Sequence, residues 1–160
     1  MQLTYNFTKV ITKTDFDSFQ KEFLDWVVEK IEKVRPDSGF PICPFARRAR
    51  LDNKIQFIDG RENYQHDIYQ FDRRNYDIGI VWLGPNANLL EAQKFVNRLK
   101  GRELIYFLST PTSGHFAKNP CNCIFIQDKG DIQVKRKYLA STEYYKDWPE
   151  QYFFEIMNNV

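Results

Sequence analysis

Several short segments of the chain have the hydrophobic patterns of β-strands, either an alternation of apolar and polar residues, as in residues 3–11, or a nearly continuous apolar run. The segments are residues 3–11, 54–58, 77–83, 103–108 and 123–127. Two of them, 77–83 (DIGIVWL) and 103–108 (ELIYFL), are apolar almost throughout, which is typical of strands buried on both faces. The pattern therefore predicts a sheet whose central strands come from the middle of the chain.

Apolar residues three and four positions apart predict two longer helices. The first covers residues 15–34, and Thr14 is suited to cap its N terminus. The second covers residues 88–100, with Asn88 as the capping residue and Gly101 as the residue that ends the helix. Both helices are amphipathic, so we expect each to pack one face on the sheet.

The remaining segments carry weaker signals. Residues 132–138 follow the glycine-containing turn DKGD, which predicts a hairpin with strand 123–127. The aromatic spacing after residue 143 predicts a short C-terminal helix. Residues 61–75 have no clear period and fit either helix or loop, and their many charges predict a solvated surface.

The order of the elements, β-α-β-β-α-β followed by a hairpin and a helix, predicts a fold class. It is the split βαβ, or ferredoxin-like, arrangement of the α+β class. We expect an antiparallel sheet containing residues 3–11, 77–83 and 103–108, with helices 15–34 and 88–100 on one face. The whole chain, residues 1–160, is predicted to be a single domain.

Composition limits the class of protein and its surroundings. The formal net charge is only +2, which disfavours nucleic acid or an anionic membrane as the main partner. No apolar run is long enough to span a bilayer, and no signal peptide is visible. The three cysteines cannot all pair with one another in disulfides, so we expect a soluble cytoplasmic protein in a reducing compartment.

The segment PICPFARRAR contains the candidate site. We expect Cys43 to cap a helix that continues with Pro44, where the helix dipole and free amides stabilise a thiolate. Arg47, Arg48 and Arg50 follow within one or two helical turns. This setting predicts a catalytic thiol at Cys43 with a lowered pKa, or a pocket for an anionic small ligand bound by the three arginines. The alternative is a small buried residue at a turn, with the arginines in solvent.

The same segment resembles a known family. A helix bearing Trp26, Val27 and Glu29 leads into Cys43-Pro44-Phe45-Ala46 and a basic stretch. This pattern is similar to the bacterial domain-of-unknown-function family fourteen-fifteen, in which a tryptophan-bearing helix precedes a CPFA motif. That family has no established activity, so the resemblance implies no particular reaction.

A second group of residues lies in GHFAKNPCNC. His115, Cys121 and Cys123, with Cys43 brought close by folding, have the residue types of a tetrahedral zinc site. Only one residue separates the paired cysteines, which argues against zinc, so we assign no metal and no cofactor. Packing of Cys121 and Cys123 in a strand is the alternative, and His115 stays a candidate ligand-binding residue.

The C-terminal aromatic residues and a basic segment bear on possible partners. Large aromatic residues are concentrated in the C-terminal segment, which predicts a homo-oligomer, most simply a homodimer. Residues 135–138 (KRKY) would suit a basic RNA-binding strand, although no RNA-binding sequence motif is present. Two function classes stay open at this stage. One is a binding or thiol-using domain around Cys43, and the other is a non-enzymatic homodimeric interaction module.

Overall fold

Four strands and five α-helices form the regular part of the computed structural model, which describes residues 13–99, 103–112, 118–151 and 153. The strands are β1 (Ile55–Asp59), β2 (Ile78–Trp82), β3 (Leu104–Ser109) and β4 (Cys123–Asp128). The helices are α1 (Lys13–Trp26), α2 (Ala46–Leu51), α3 (Tyr64–Asp67), α4 (Leu89–Arg98) and α5 (Lys129–Ala140). A π-helical turn, Val27–Ile31, extends α1, and a 3-10 turn, Ile68–Gln70, extends α3.

The strands form one mixed sheet in the order β1-β2-β4-β3. The pair β1 and β2 is parallel, whereas β4 is antiparallel to both of its neighbours. The α+β class is therefore confirmed, and the predicted strands 77–83 and 103–108 lie in one sheet. The prediction of an antiparallel sheet is wrong, because β1 pairs with β2 in parallel through a short connection that includes α3. The predicted strand 3–11 lies outside the described residues.

The two long helices cover opposite faces of the sheet. Helix α1 buries Phe19, Phe23 and its continuation Val27 against a core that includes Ile80 of β2. Helix α4 buries its apolar side against a second core that includes Val81, the next residue of β2. The prediction that both helices pack on one face is wrong. Successive side chains of a strand point to opposite faces, and β2 is apolar on both, so each face can bury a helix.

The predicted hairpin after β4 is a helix instead. The side chain of Asp128 caps α5, and its Oδ1 accepts the backbone N–H of Asp131 at 2.9 Å. A capping carboxylate at this position stabilises a first helical turn, and Gly130 is accommodated within that turn. The basic segment 135–138 therefore lies on a helix rather than a strand, which removes the geometry expected for stacking RNA bases on the sheet.

The aromatic residues near the C terminus pack on one another and on the Cys43 segment. Tyr145 contacts both Trp148 and Phe153, with ring centroids 4.7 and 5.0 Å apart. The Tyr144 hydroxyl donates to the carbonyl of Ile42, and only 3% of Tyr144 is exposed. Much of this aromatic surface is thus buried within the chain. None of the described helices is long and apolar enough to cross a membrane.

Candidate functional site

Cys43 lies in the turn that leads into α2, close to where the sequence predicted it. Its backbone N–H donates to the carbonyl of Ile31 at the end of the π-helical turn, at 3.2 Å. Its sulfur accepts hydrogen bonds from the backbone amides of Phe45 and Ala46. Helix α2 spans only the six residues Ala46–Leu51, and its N-cap residue is Phe45, which makes no side-chain capping hydrogen bond. The prediction that Cys43 caps this helix is therefore wrong, because Cys43 lies two residues before the N-cap.

Burial dominates the chemistry of this thiol. Removal from water raises the pKa of Cys43 above its ordinary value, and this effect exceeds the opposing contributions of the two amides and of Lys135. Burial penalises the charged form of a thiol, whereas hydrogen bonds and nearby cations favour it. The prediction of a lowered pKa at Cys43 is therefore wrong, and the thiol is neutral at neutral pH.

The three arginines after Cys43 do not converge on its thiol. Arg47 and Arg48 are exposed, and Arg48 Nε donates to Asp52 Oδ2 at 2.7 Å. Arg50 binds Glu32 through two hydrogen bonds of 2.5 and 2.8 Å, which join α2 to the residue after the π-helical turn. The cation that affects the thiol is Lys135 of α5. Two of the three arginines are therefore paired with carboxylates of the chain, and an anion pocket formed by Arg47, Arg48 and Arg50 stays a prediction.

Cys123 is the first residue of β4, Cys121 lies two residues before that strand, and His115 lies outside the described residues. Cys123 is fully buried and pairs in register with Trp82 and Ser109. Burial raises its pKa, and it raises the pKa of Cys121 to about 11. The thiols are free, and within the described part of the chain no three or more metal-ligating side chains are grouped to bind an ion.

A different location offers a cavity. An open cleft of about 740 Å³ lies beside the first residues of β3 and the C-terminal end of α4. Its polar and aromatic lining consists of Tyr69, Arg73, Arg98, Glu103 and Tyr106, and Leu99 and Leu104 supply apolar surface. Tyr69 belongs to the 3-10 turn after α3, so three separate parts of the chain meet here. We call this cavity the arginine–tyrosine cleft.

Two arginines of the cleft differ in their partners. Arg73 Nη1 contacts Glu103 Oε2 at 2.5 Å, and its Nη2 also donates to Asp128 Oδ2. Arg98 is exposed, with its guanidinium 5.8 Å from the ring centroid of Phe95. Among the described residues, Arg98 forms no ion pair with a carboxylate. The cleft therefore contains one neutralised guanidinium and one that is available to an anion.

The tyrosines add hydrogen-bonding and stacking surface to the cleft. Burial raises the pKa of Tyr106, and the neighbouring Tyr69 raises it further. The Tyr106 hydroxyl is therefore protonated at neutral pH and can donate a hydrogen bond. Tyr69 is 67% exposed, so its ring is open to a flat ligand.

Sequence reasoning missed this cleft because its residues are far apart in the chain. Arg73 is separated from Glu103 by 30 residues and from Asp128 by 55. The one available signal was the density of charge in residues 61–75, which favoured a solvated surface. No local spacing indicated that Arg73 and Arg98 would line the same cavity.

Comparisons of the chain with protein-family models, with curated proteins and with solved structures found no match. The relation of this chain to the family with the CPFA motif, which residues 43–46 suggest, therefore stays a prediction.

Proposed function

We propose that this protein is a binding domain for an anionic small molecule that carries a planar ring, and that the ligand binds in the arginine–tyrosine cleft. The single observation behind this proposal is that Arg98 and Arg73 line the same cavity as Tyr69 and Tyr106. The proposal keeps the ligand class predicted from the sequence and moves its site away from Cys43.

The chemistry of the lining supports this ligand class. A guanidinium presents a planar set of N–H donors that matches a carboxylate or phosphate. Arg98 has an exposed guanidinium for that role, and Tyr69 offers an aromatic face. Leu99 and Leu104 contribute apolar surface to the same cavity. Pockets that combine apolar walls with a few convergent polar groups are typical of small-molecule sites.

The other function classes receive less support. A reactive thiol needs a substantial thiolate fraction, and burial keeps Cys43 protonated at neutral pH. The homodimer prediction was motivated by C-terminal aromatic residues, and Tyr144 and Tyr145 pack within the chain. Free thiols suit a reducing compartment, so we propose that binding takes place in the cytoplasm.

Replacing Arg98 with glutamine should weaken binding of an anionic aromatic ligand. Phenyl phosphate serves as the probe, and isothermal titration calorimetry gives its dissociation constant. Hydrogen bonds to charged groups typically contribute enough that we expect Arg98→Gln to raise the dissociation constant about tenfold or more. The reason is that the glutamine retains a polar side chain but loses the charge and the paired donors of the guanidinium.

The matched control is Arg48→Gln, which removes an exposed arginine that pairs with Asp52 and does not line the cleft. This control should bind phenyl phosphate like the wild type. Equal affinities of the wild type, Arg98→Gln and Arg48→Gln, or no binding to the wild type, would contradict the proposed function.

A further inference from the structure

The carboxylate of Glu103 lies against the guanidinium of Arg73 in the cleft. Its Oε2 lies 2.5 Å from Nη1 of Arg73, and both residues line the cavity. An anion that entered beside Arg98 and approached Arg73 would meet Glu103 at this edge of the guanidinium. The ion pair is therefore a contact within the site itself.

The two carboxylates bound to Arg73 are held to different extents. Asp128 also accepts the backbone N–H of Asp131 and caps α5, so its position is fixed by the helix. The side chain of Glu103 is 82% exposed, and Arg73 is its one ion-pair partner among the described residues. Its backbone carbonyl accepts the N–H of Lys129 at 2.8 Å, which anchors the main chain at this position. Glu103 can therefore swing its carboxylate into solvent without moving β3.

We infer that Glu103 is an internal competitor of the ligand. Without a ligand, the Glu103 carboxylate pairs with Nη1 of Arg73. A bound anion displaces this carboxylate and pairs with the same nitrogen. Asp128 keeps the guanidinium in place during the exchange. This inference rests on the proposed function, because it describes how the same cleft lowers its own affinity for anions.

The size of the effect follows from the strength of the contact. The ion pair must break before the ligand can use Arg73, so its stability lowers the apparent affinity. Exposed ion pairs are individually weak, and we therefore expect removal of Glu103 to tighten binding roughly threefold. Competition of this kind lowers the affinity by the same factor for every anion that displaces the carboxylate.

Two probes of different charge distinguish displacement from simple repulsion. Phenyl phosphate at pH 8 is mostly dianionic, because the second pKa of a phosphate monoester is about 6, whereas benzoate is a monoanion. Calorimetric dissociation constants for both probes are measured with the wild type, Glu103→Gln and Glu143→Gln. Glu143 pairs with Lys146 on the surface and does not line the cleft, which makes it the matched control.

Displacement predicts that Glu103→Gln tightens phenyl phosphate and benzoate by the same factor, and that Glu143→Gln changes neither. A clearly larger gain for the dianion would mean that Glu103 repels ligands through space without blocking Arg73, and this would overturn the inference. Unchanged affinity in Glu103→Gln would overturn it as well. If Glu103→Gln leaves the affinity unchanged but Arg98→Gln still weakens binding, the inference about Glu103 is wrong and the proposed function stands. If the wild type does not bind the probes, or binds them equally well without Arg98, both the inference and the proposed function are wrong.

Discussion

Native Cys121 should react with dithiodipyridine at pH 8 about tenfold more slowly than a free cysteine, even before steric protection is considered. Its pKa of about 11 results from burial and from the nearby carboxylate of Glu22. Compared with a free thiol of pKa about 8.5, the thiolate fraction at pH 8 falls by about two orders of magnitude. A more basic thiolate is a better nucleophile, and this raises the reaction rate again by about one order of magnitude.

Cys43 should also react more slowly than a free thiol, because burial raises its pKa too. Three variants, each retaining one cysteine with the other two replaced by alanine, give separate rates from the absorbance of the released thiopyridone. The urea-unfolded variants provide the free-thiol rate as the control. A native Cys43 that reacts as fast as the unfolded protein would restore the hypothesis of a reactive thiol.

The same shifts predict how stability depends on pH. A thiol whose pKa is raised by folding contributes stability below its unfolded pKa, and this contribution is lost as the pH rises toward the folded pKa. For Cys121 this interval runs from about 8.5 in the unfolded chain to about 11 in the native protein. The free energy of unfolding should therefore fall over this interval, and less so in Cys121→Ala.

Replacing Phe23 with alanine should lower the free energy of unfolding by about 3–5 kcal/mol. Phe23 is 2% exposed and attaches α1 to the sheet. Its ring centroid lies 5.6 Å from that of Phe57 in β1 and 5.8 Å from that of Phe125 in β4. The substitution leaves a cavity between the helix and two strands, which neighbouring side chains fill only in part.

Urea unfolding followed by circular dichroism measures this loss. The control is Val28→Ala at a position that is 46% exposed, where we expect a change within about 0.5 kcal/mol. A loss below about 1 kcal/mol in Phe23→Ala would be too small for a filled core position. That result would contradict the packing of α1 on this face of the sheet.

Local signals in the sequence were sufficient for several elements. Asn88 was predicted to cap a helix over residues 88–100. The structure has α4 at Leu89–Arg98, and the Asn88 side chain accepts the N–H of Glu91 at 3.1 Å. Capping and the spacing of apolar residues act within a few positions, so the sequence displays them directly. At DKGD the same local chemistry fits a turn and a helix cap equally well, and the capping interaction of Asp128 prevails.

Pairing across the sheet depends on contacts that no local pattern displays. Ile80 and Val81 are adjacent in β2 and apolar, which indicates burial on both faces but does not specify which helix covers each face. The ion pair of Arg50 with Glu32 joins residues 18 positions apart, and no local spacing displays it. The cleft depends on contacts between residues still farther apart in the chain, such as Arg73 and Asp128, which are 55 positions apart. Residue types in the sequence suggested an anionic ligand, whereas the cleft in which we propose that it binds could not be predicted from them.

The most direct test of the account is to locate the bound anion by nuclear magnetic resonance. Phenyl phosphate is titrated into ¹⁵N-labelled protein, and the shifts of backbone amides are followed by residue. The account predicts that saturable shifts cluster at the cleft, at Tyr69, Arg73, Arg98, Leu104 and Tyr106. Shifts centred instead on Cys43 and residues 45–50, or no saturable shifts at all, would contradict it.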